Sequence, residues 1–271
     1  MSIPSILFRF IREPPFRLLG RLAVSSLPFS YRTKAFWDAV DRPHYLTGLF
    51  AAADQGAKHG AKEISAFEFG VAQGAGLLAL QAHAERVERE TGVRIRVFGF
   101  DTGEGLPSFT GDYRDHPDLW RPGQYRMDVE RLQKALTSRT ELVLGNIAET
   151  IPKFLERDDI PPAGFVSIDV DLYSSTSVAL ELLGSRQRRM LPNVAMYFDD
   201  LTFFNNHRYA GEFLAIEEFN ERHDEVKIDR WYGIKTYRPF QDPAWLNQMF
   251  VAHDLRAITA LYRDERGRSS E

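Results

Sequence analysis

Glu68-Phe69-Gly70-Val71-Ala72-Gln73-Gly74-Ala75-Gly76, read together with Phe98-Gly99-Phe100-Asp101, says more about the fold than any other part of the chain. A β-prone run, Ile64–Phe69, closes on glycines. A helical run of small and apolar residues follows, from Leu77 to about Val87, and a second apolar run, Val93–Phe100, ends in an acid. This order is that of a nucleotide site at the carboxyl edge of a parallel sheet. Glycines let backbone N–H groups approach a ligand closely. An acid at the tip of the next strand accepts hydrogen bonds from ribose hydroxyls. The spacing is G-x-x-x-G-x-G, not the G-x-G-x-x-G of a dinucleotide fingerprint.

Working outward, strand and helix patterns alternate. A helix is expected over His44–Lys58, then strand Glu63–Phe69, helix Leu77–Thr91 and strand Arg94–Phe100. A long loop, Thr102–Tyr125, precedes helix Met127–Leu136, strand Glu141–Leu144, helix Ala148–Glu156, strand Gly164–Asp169 and helix Thr176–Leu183. Strand Val194–Phe198, helix Gly211–Arg222 and strand Val226–Tyr232 complete the order. The expected fold is α/β: a Rossmann-like, doubly wound, mostly parallel sheet with helices on both faces, plus an N-terminal helical arm. The expected division is an arm or cap over residues 1–60, the ligand-binding domain over 61–240 and a C-terminal extension over 241–271.

The 271 residues carry a net charge of −4, so no global basic field draws the chain to nucleic acid. Cysteine is absent, which excludes disulfides and thiolate ligands and leaves carboxylates, His and carbonyls for any metal, a set suited to Mg2+ or Mn2+. Residues 1–34 are basic, with Arg9, Arg12, Arg17, Arg21, Arg32 and Lys34 against Glu13. No run there is long or charge-free enough to span a bilayer, and none reads as a signal peptide, so a cytoplasmic protein is expected. The arm reads as packing on the domain or on a second subunit; the competing reading is an interfacial helix on anionic lipid.

Acids recur at the strand ends. Glu68 and Asp101 close the first two strands, Asp169 and Asp171 flank Val170, and Asp199-Asp200 follow Val194–Phe198. Parallel, adjacent strands would bring the last four to one patch, where a divalent cation relieves their repulsion. The alternative is that they cap helices or sit in solvated loops.

Several segments together resemble the macrocin O-methyltransferase family of class I S-adenosylmethionine (SAM)-dependent methyltransferases. Phe98-Gly99-Phe100-Asp101-Thr102-Gly103-Glu104-Gly105-Leu106-Pro107 is similar to its F-D-x-x-E-G-L-P segment. Asp169-Val170-Asp171-Leu172-Tyr173-Ser174-Ser175-Thr176 is similar to its D-x-D-x-Y-x-x-T segment, and Phe198-Asp199-Asp200 to F-D-D. Gly211-Glu212 with Ala215–Phe219 looks like its late helix. The resemblance runs from about Glu63 to Phe219 and implies a bacterial SAM- and Mg2+-dependent O-methyltransferase, often oligomeric, acting on a small-molecule or sugar hydroxyl. Carried over by motif position, Glu68, Gly70, Gly74 and Gly76 face the methionine part of SAM, and Asp169 is also counted among the cofactor-binding residues. Asp101 holds the ribose with Thr102 beside it, and Gly145 and Asn146 border the adenine. Asp169, Asp199 and Asp200 bind the metal, and Asp171 is the general base. After Asp200 the stretch Leu201–Tyr209 departs from the family, which leaves the acceptor open.

The long loop is either an acceptor lid, supplying Phe109, Tyr113, Arg114, His116, Trp120, Arg121 and Tyr125, or a structural excursion. His207 is a further candidate for substrate or metal contact. Three rivals remain: a metal-dependent glycosyltransferase using Asp169-Val170-Asp171, a dehydrogenase, against which the glycine spacing argues, and a non-catalytic relative of the fold.

Overall fold

The computed structural model describes residues 15–108, 111–236 and 238–268. Residues 1–14, with the first part of the basic arm, and Phe109 lie outside the described residues.

Seven strands form one sheet in the order β3-β2-β1-β4-β5-β7-β6. They are β1 (Glu63–Phe69), β2 (Arg94–Asp101), β3 (Thr140–Leu144), β4 (Ala163–Ile168), β5 (Met190–Phe198), β6 (Val226–Arg230) and β7 (Met249–Asp254). β1 to β5 pair in parallel. β7 enters antiparallel between β5 and β6. This is the doubly wound, mostly parallel sheet that the alternation predicts. The order reverses between β1 and β4, and a ligand crevice opens at such a switch point, beyond the carboxyl ends of the strands.

Strand residues alternate between two cores. On one face Ile64, Ala66, Val97 and Phe165 pack with Tyr45, Leu46 and Leu49 of α3 (Pro43–Lys58) and Leu77 and Leu80 of α4 (Ala75–Thr91). On the other, Phe67, Phe98, Val166 and Met196 pack against α6 (Ile147–Leu155), α7 (Tyr173–Gly184) and α8 (Gly211–Arg222). The near-continuous apolar runs of β1 and β4 reflect burial on both faces. Two short N-terminal helices, α1 (Pro15–Ser26) and α2 (Tyr31–Phe36), and α5 (Val129–Ala135) complete the body, and α9 (Leu255–Arg268) follows β7.

The helix of 43–58 falls inside the stretch expected as an arm, and its Tyr45, Leu46 and Leu49 are fully buried against the sheet. β7 falls inside the stretch expected as a C-terminal extension and is internal to the sheet. α1 lies against the domain through Arg17 Nη1 to Asp242 Oδ1 (2.7 Å) and Arg21 Nε to the Asp38 carbonyl (2.8 Å). Among the described residues no helix is long and apolar enough to cross a membrane. β5 begins at Met190, earlier than Val194, and accommodates Pro192 where the β4–β5 register shifts, a position that needs no ladder N–H.

Candidate functional site

Strand ends define the site. β1 runs into Gly70, which has φ +86, and a side chain there would place its Cβ 1.6 Å from the carbonyl oxygen of Asp169 at the end of β4. Glycine is therefore required where the two central strands converge. The turn then folds onto β2: Asp101 Oδ2 accepts from the N–H groups of Val71 (2.8 Å) and Ala72 (2.9 Å), and Oδ1 from Gly103 N–H (2.7 Å). Asp101 was expected to meet ribose hydroxyls. The structure shows that it first ties the glycine turn to the β2 end, leaving acceptor capacity on Oδ1.

A cavity of about 1330 Å3 opens over these ends. That exceeds the roughly 300–1,000 Å3 of a pocket for one drug-sized ligand. Gly70, Asp101, Thr102, Gly145 and Asn146 line it, and so do Asp169, Asp171, Asp199 and Asp200. Glu68, Gly74 and Gly76 do not. Glu68 points into the core face of β1, only 2% exposed, with Oε1 accepting from the Tyr45 hydroxyl (2.9 Å) and Oε2 unpartnered. Burial pushes its pKa up to about 8. Gly74 (φ +85) leaves room for Leu132, and a Cβ on Gly76 would fall 1.9 Å from Glu68 Oε1. These two glycines serve close packing of α4, which their spacing alone does not distinguish from ligand contact. The Thr102 hydroxyl is spent locally, donating to the Gly105 carbonyl (2.8 Å) and accepting from Glu104 N–H (3.1 Å). Asn146 caps α6 through Ala148 N–H (2.9 Å).

The carboxylates expected as metal ligands do meet. Asp169, Asp199 and Asp200 each offer one oxygen, and the three atoms lie within 4.8 Å of one another. Three carboxylate oxygens are a hard donor set of the kind that suits Mg2+ or Mn2+. Burial, reinforced by Asp199 and Asp200, pushes Asp169 well above the ordinary carboxylate range. Burial, with Asp171 and Asp199 adding repulsion, brings Asp200 to about 8. Burial and then Asp199 bring Asp171 to about 6. Asp171 is held at φ +62, an uncommon conformation for a non-glycine residue, with its N–H donating to Asp200 Oδ2 (3.1 Å).

Side chains to which the sequence assigned no role fix the Asp199-Asp200 pair. Tyr197 donates its hydroxyl to Asp199 Oδ1 (2.6 Å), and Asn206 Nδ2 donates to the Asp200 carbonyl (2.8 Å). Glu212, fully buried in the first turn of α8, accepts from Asp200 N–H (3.0 Å) and leaves Oε1 unpartnered. In the sequence Glu212 belongs to the segment that resembles the family's late helix, and its contact with Asp200 is not legible there because an acid at a helix start is common.

The long loop combines both expected roles. Trp120 and Tyr125 line the cavity. Asp115, by contrast, accepts from Ser174 N–H (2.8 Å) at the start of α7, and Asn205 Nδ2 bonds Asp118 Oδ2 (2.9 Å). His116, 3% exposed, packs edge-on against Phe203. Arg114 lies over Tyr173, and Arg121 bonds the carbonyls of Pro117 and Trp120. His207 meets His116 edge-on and is not among the cavity's lining residues.

No family model and no curated protein matches this chain. Among solved structures, CalS11, a calicheamicin methyltransferase, is similar with a TM-score of 0.51 and 22% identity over 89% of this chain and 94% of its own. The O-methyltransferase NovP is similar with a TM-score of 0.51 and 15% identity over 78% of this chain and 79% of its own. The shared feature is the fold: a class I methyltransferase sheet, mostly parallel, with helices on both faces.

Proposed function

We propose that this chain is a SAM-dependent O-methyltransferase that uses Mg2+ or Mn2+ and acts on a hydroxyl of a small molecule or sugar. The observation that carries the reading is one cavity holding both the β1 glycine turn with Asp101 and the three convergent carboxylates Asp169, Asp199 and Asp200. The fold shared with CalS11 and NovP supports it. Gly70 and Asp169 would take the methionine end of SAM, Asp101 Oδ1 the ribose, and Gly145 and Asn146 the edge of the adenine. Asp169, Asp199 and Asp200 would hold the metal. When bound, SAM supplies a methyl group on a sulfonium, and the ion supplies charge that lowers the pKa of an acceptor hydroxyl.

Asp171 then takes the hydroxyl proton as the acceptor oxygen gains the methyl. Its carboxyl, raised to about 6, is largely ionised at neutral pH yet basic enough to accept a proton. Tyr197, Asn206 and Glu212 keep the Asp199-Asp200 pair in place, so little reorganisation is needed at the moment of transfer. Trp120 and Tyr125 of the loop would border the acceptor.

Methyl transfer from labelled SAM to a panel of sugar, phenol and polyketide hydroxyls tests the reading. Asp171→Asn should retain S-adenosylhomocysteine binding and lose about 10²–10⁴-fold in turnover, the usual worth of a positioned base. Retained turnover removes Asp171 from the base role. Binding of sugar nucleotides without SAM would move the chain to the glycosyltransferase reading.

A further inference from the structure

Helix α1 carries its charge inward and its leucines outward. Residues three and four apart share a helix face. Arg17, Gly20, Arg21 and Val24 form the face turned to the domain. Arg17 pairs with Asp242 (2.7 Å) and lies over the Phe240 ring, and Arg21 donates to the Asp38 carbonyl (2.8 Å). Gly20 lies against Trp37, where a Cβ would fall 3.0 Å from the ring, and Val24 is buried. The opposite face presents Leu19 and Leu22, 60% and 53% exposed, with Ala23 beside them. Leu27, whose N–H bonds the Ala23 carbonyl (3.0 Å), and Phe29 extend this stripe past the helix end and are about half exposed. A surface helix ordinarily buries its apolar stripe and shows its charges to water. An apolar stripe held outward by arginines anchored on the inner face marks an interaction surface.

Charge selects the partner. Residues 1–34 hold six cations and one acid, a net +5, in a chain of net −4, so the other residues carry −9. Counting Asp242 and Asp54, which pair with Arg17 and Arg32, still leaves the arm at +3. Upstream of the helix, Leu7-Phe8-Arg9-Phe10-Ile11-Arg12 repeats the mixture of apolar and basic residues. A second copy docked on this stripe by two-fold symmetry would set one cationic arm against another. An anionic lipid surface attracts the arm, repels the acidic body and takes leucine and phenylalanine side chains into its interface.

We propose that the outward face of α1, with Leu27 and Phe29, docks on an anionic lipid surface and holds the protein at a membrane that no described helix crosses. Leu19 and Leu22 enter the boundary between headgroups and acyl chains, and the cations of the arm meet the lipid phosphates. The assignment does not depend on the SAM reading.

Cosedimentation of the full chain with vesicles is the test, using phosphatidylcholine alone and phosphatidylcholine with phosphatidylserine in equal parts. The wild type should bind the mixed vesicles at least about tenfold more tightly than the neutral ones, and the difference should shrink at about 1 M salt. Leu19→Ser with Leu22→Ser should weaken binding to the mixed vesicles about ten- to hundred-fold. Arg9→Gln with Arg12→Gln should weaken it about tenfold. The leucine variant should keep the wild-type melting temperature, because exposed side chains contribute little to folding. Equal binding to both vesicles, or unchanged binding in the leucine variant, overturns the proposal. A wild-type dimer that the leucine variant dissociates, read by light scattering without lipid, gives the face to a second copy and overturns it. A melting temperature lowered by several degrees in the leucine variant means that the chain itself covers the stripe, and overturns it as well.

Discussion

Asp200→Asn is expected to raise the melting temperature of the metal-free protein at pH 8 and to abolish the stabilisation that Mg2+ gives the wild type. The reason is the acidic cluster. Asp200 stands at about 8 and Asp171 at about 6, both raised first by burial. An unfolded aspartate has a pKa of about 3.9. The folded protein therefore holds protons that the unfolded chain has released. Stability from these groups is fully present below about pH 4 and is lost as pH rises through the folded values, about 6 and then about 8. The metal-free wild type should melt progressively lower from pH 5 to pH 8.5. The amide removes one charge from the cluster and can still accept from Asp171 N–H, so the pH slope flattens. A divalent ion reverses the penalty in the wild type. At about 100 times its Kd an ion stabilises by about 2.7 kcal/mol, worth roughly 5 °C in a chain of this size. The variant, lacking one of three ligands, should show almost none of that shift. Thermal melts at pH 5 to 8.5 with Mg2+ and with chelator check both halves. A variant that melts lower than wild type without metal at pH 8, or keeps the Mg2+ shift, contradicts this account of the cluster.

The second large effect is expected from Gly70→Ala. The Cβ would arrive 1.6 Å from the carbonyl oxygen of Asp169, and φ +86 adds strain on any L side chain. A backbone atom cannot rotate away, so the ends of β1 and β4 would have to part at the switch point of the sheet. A loss above about 4 kcal/mol is the expected scale for such a change, enough to deplete folded protein. Gly92→Ala is the control: it has φ +75 at the end of α4 with nothing within 4 Å, so it carries the strain without the clash. That strain alone is worth about 1–2 kcal/mol. Urea unfolding of both variants separates the contributions. Equal losses would mean that the β1–β4 approach is not what demands glycine at position 70.

Much of the architecture was legible because burial on both faces writes long apolar runs that end abruptly. Glu63–Phe69 coincides with β1, and the acids after β4 and β5 meet as their parallel, adjacent placement requires. β7 was missed: Phe250 and Ala252 are buried and Val251 and His253 half-buried, a weak alternation, and its pairing with β5 and β6 is set by tertiary contact. Hydrogen-bond allegiance was not legible at all. Asp101 reads as a ribose acceptor, yet three backbone N–H groups share it. Thr102 reads as a neighbour of the cofactor, yet its hydroxyl closes a local turn. Glu68 alternates with Phe67 and Phe69, so it faces the α3 side of the sheet beneath the cavity. Tyr197 and Asn206 gave no sequence signal and Glu212 only a place in the late helix, because their role depends on a loop folding back onto the end of β5.

The central claim joins a SAM site and a metal site in one cavity. Calorimetric titration of S-adenosylhomocysteine and of Mg2+ into the wild type and Asp200→Asn tests it most directly. The account predicts one S-adenosylhomocysteine per chain in both proteins, and a Mg2+ heat in the wild type that the variant lacks. A folded wild type that takes up neither would contradict it.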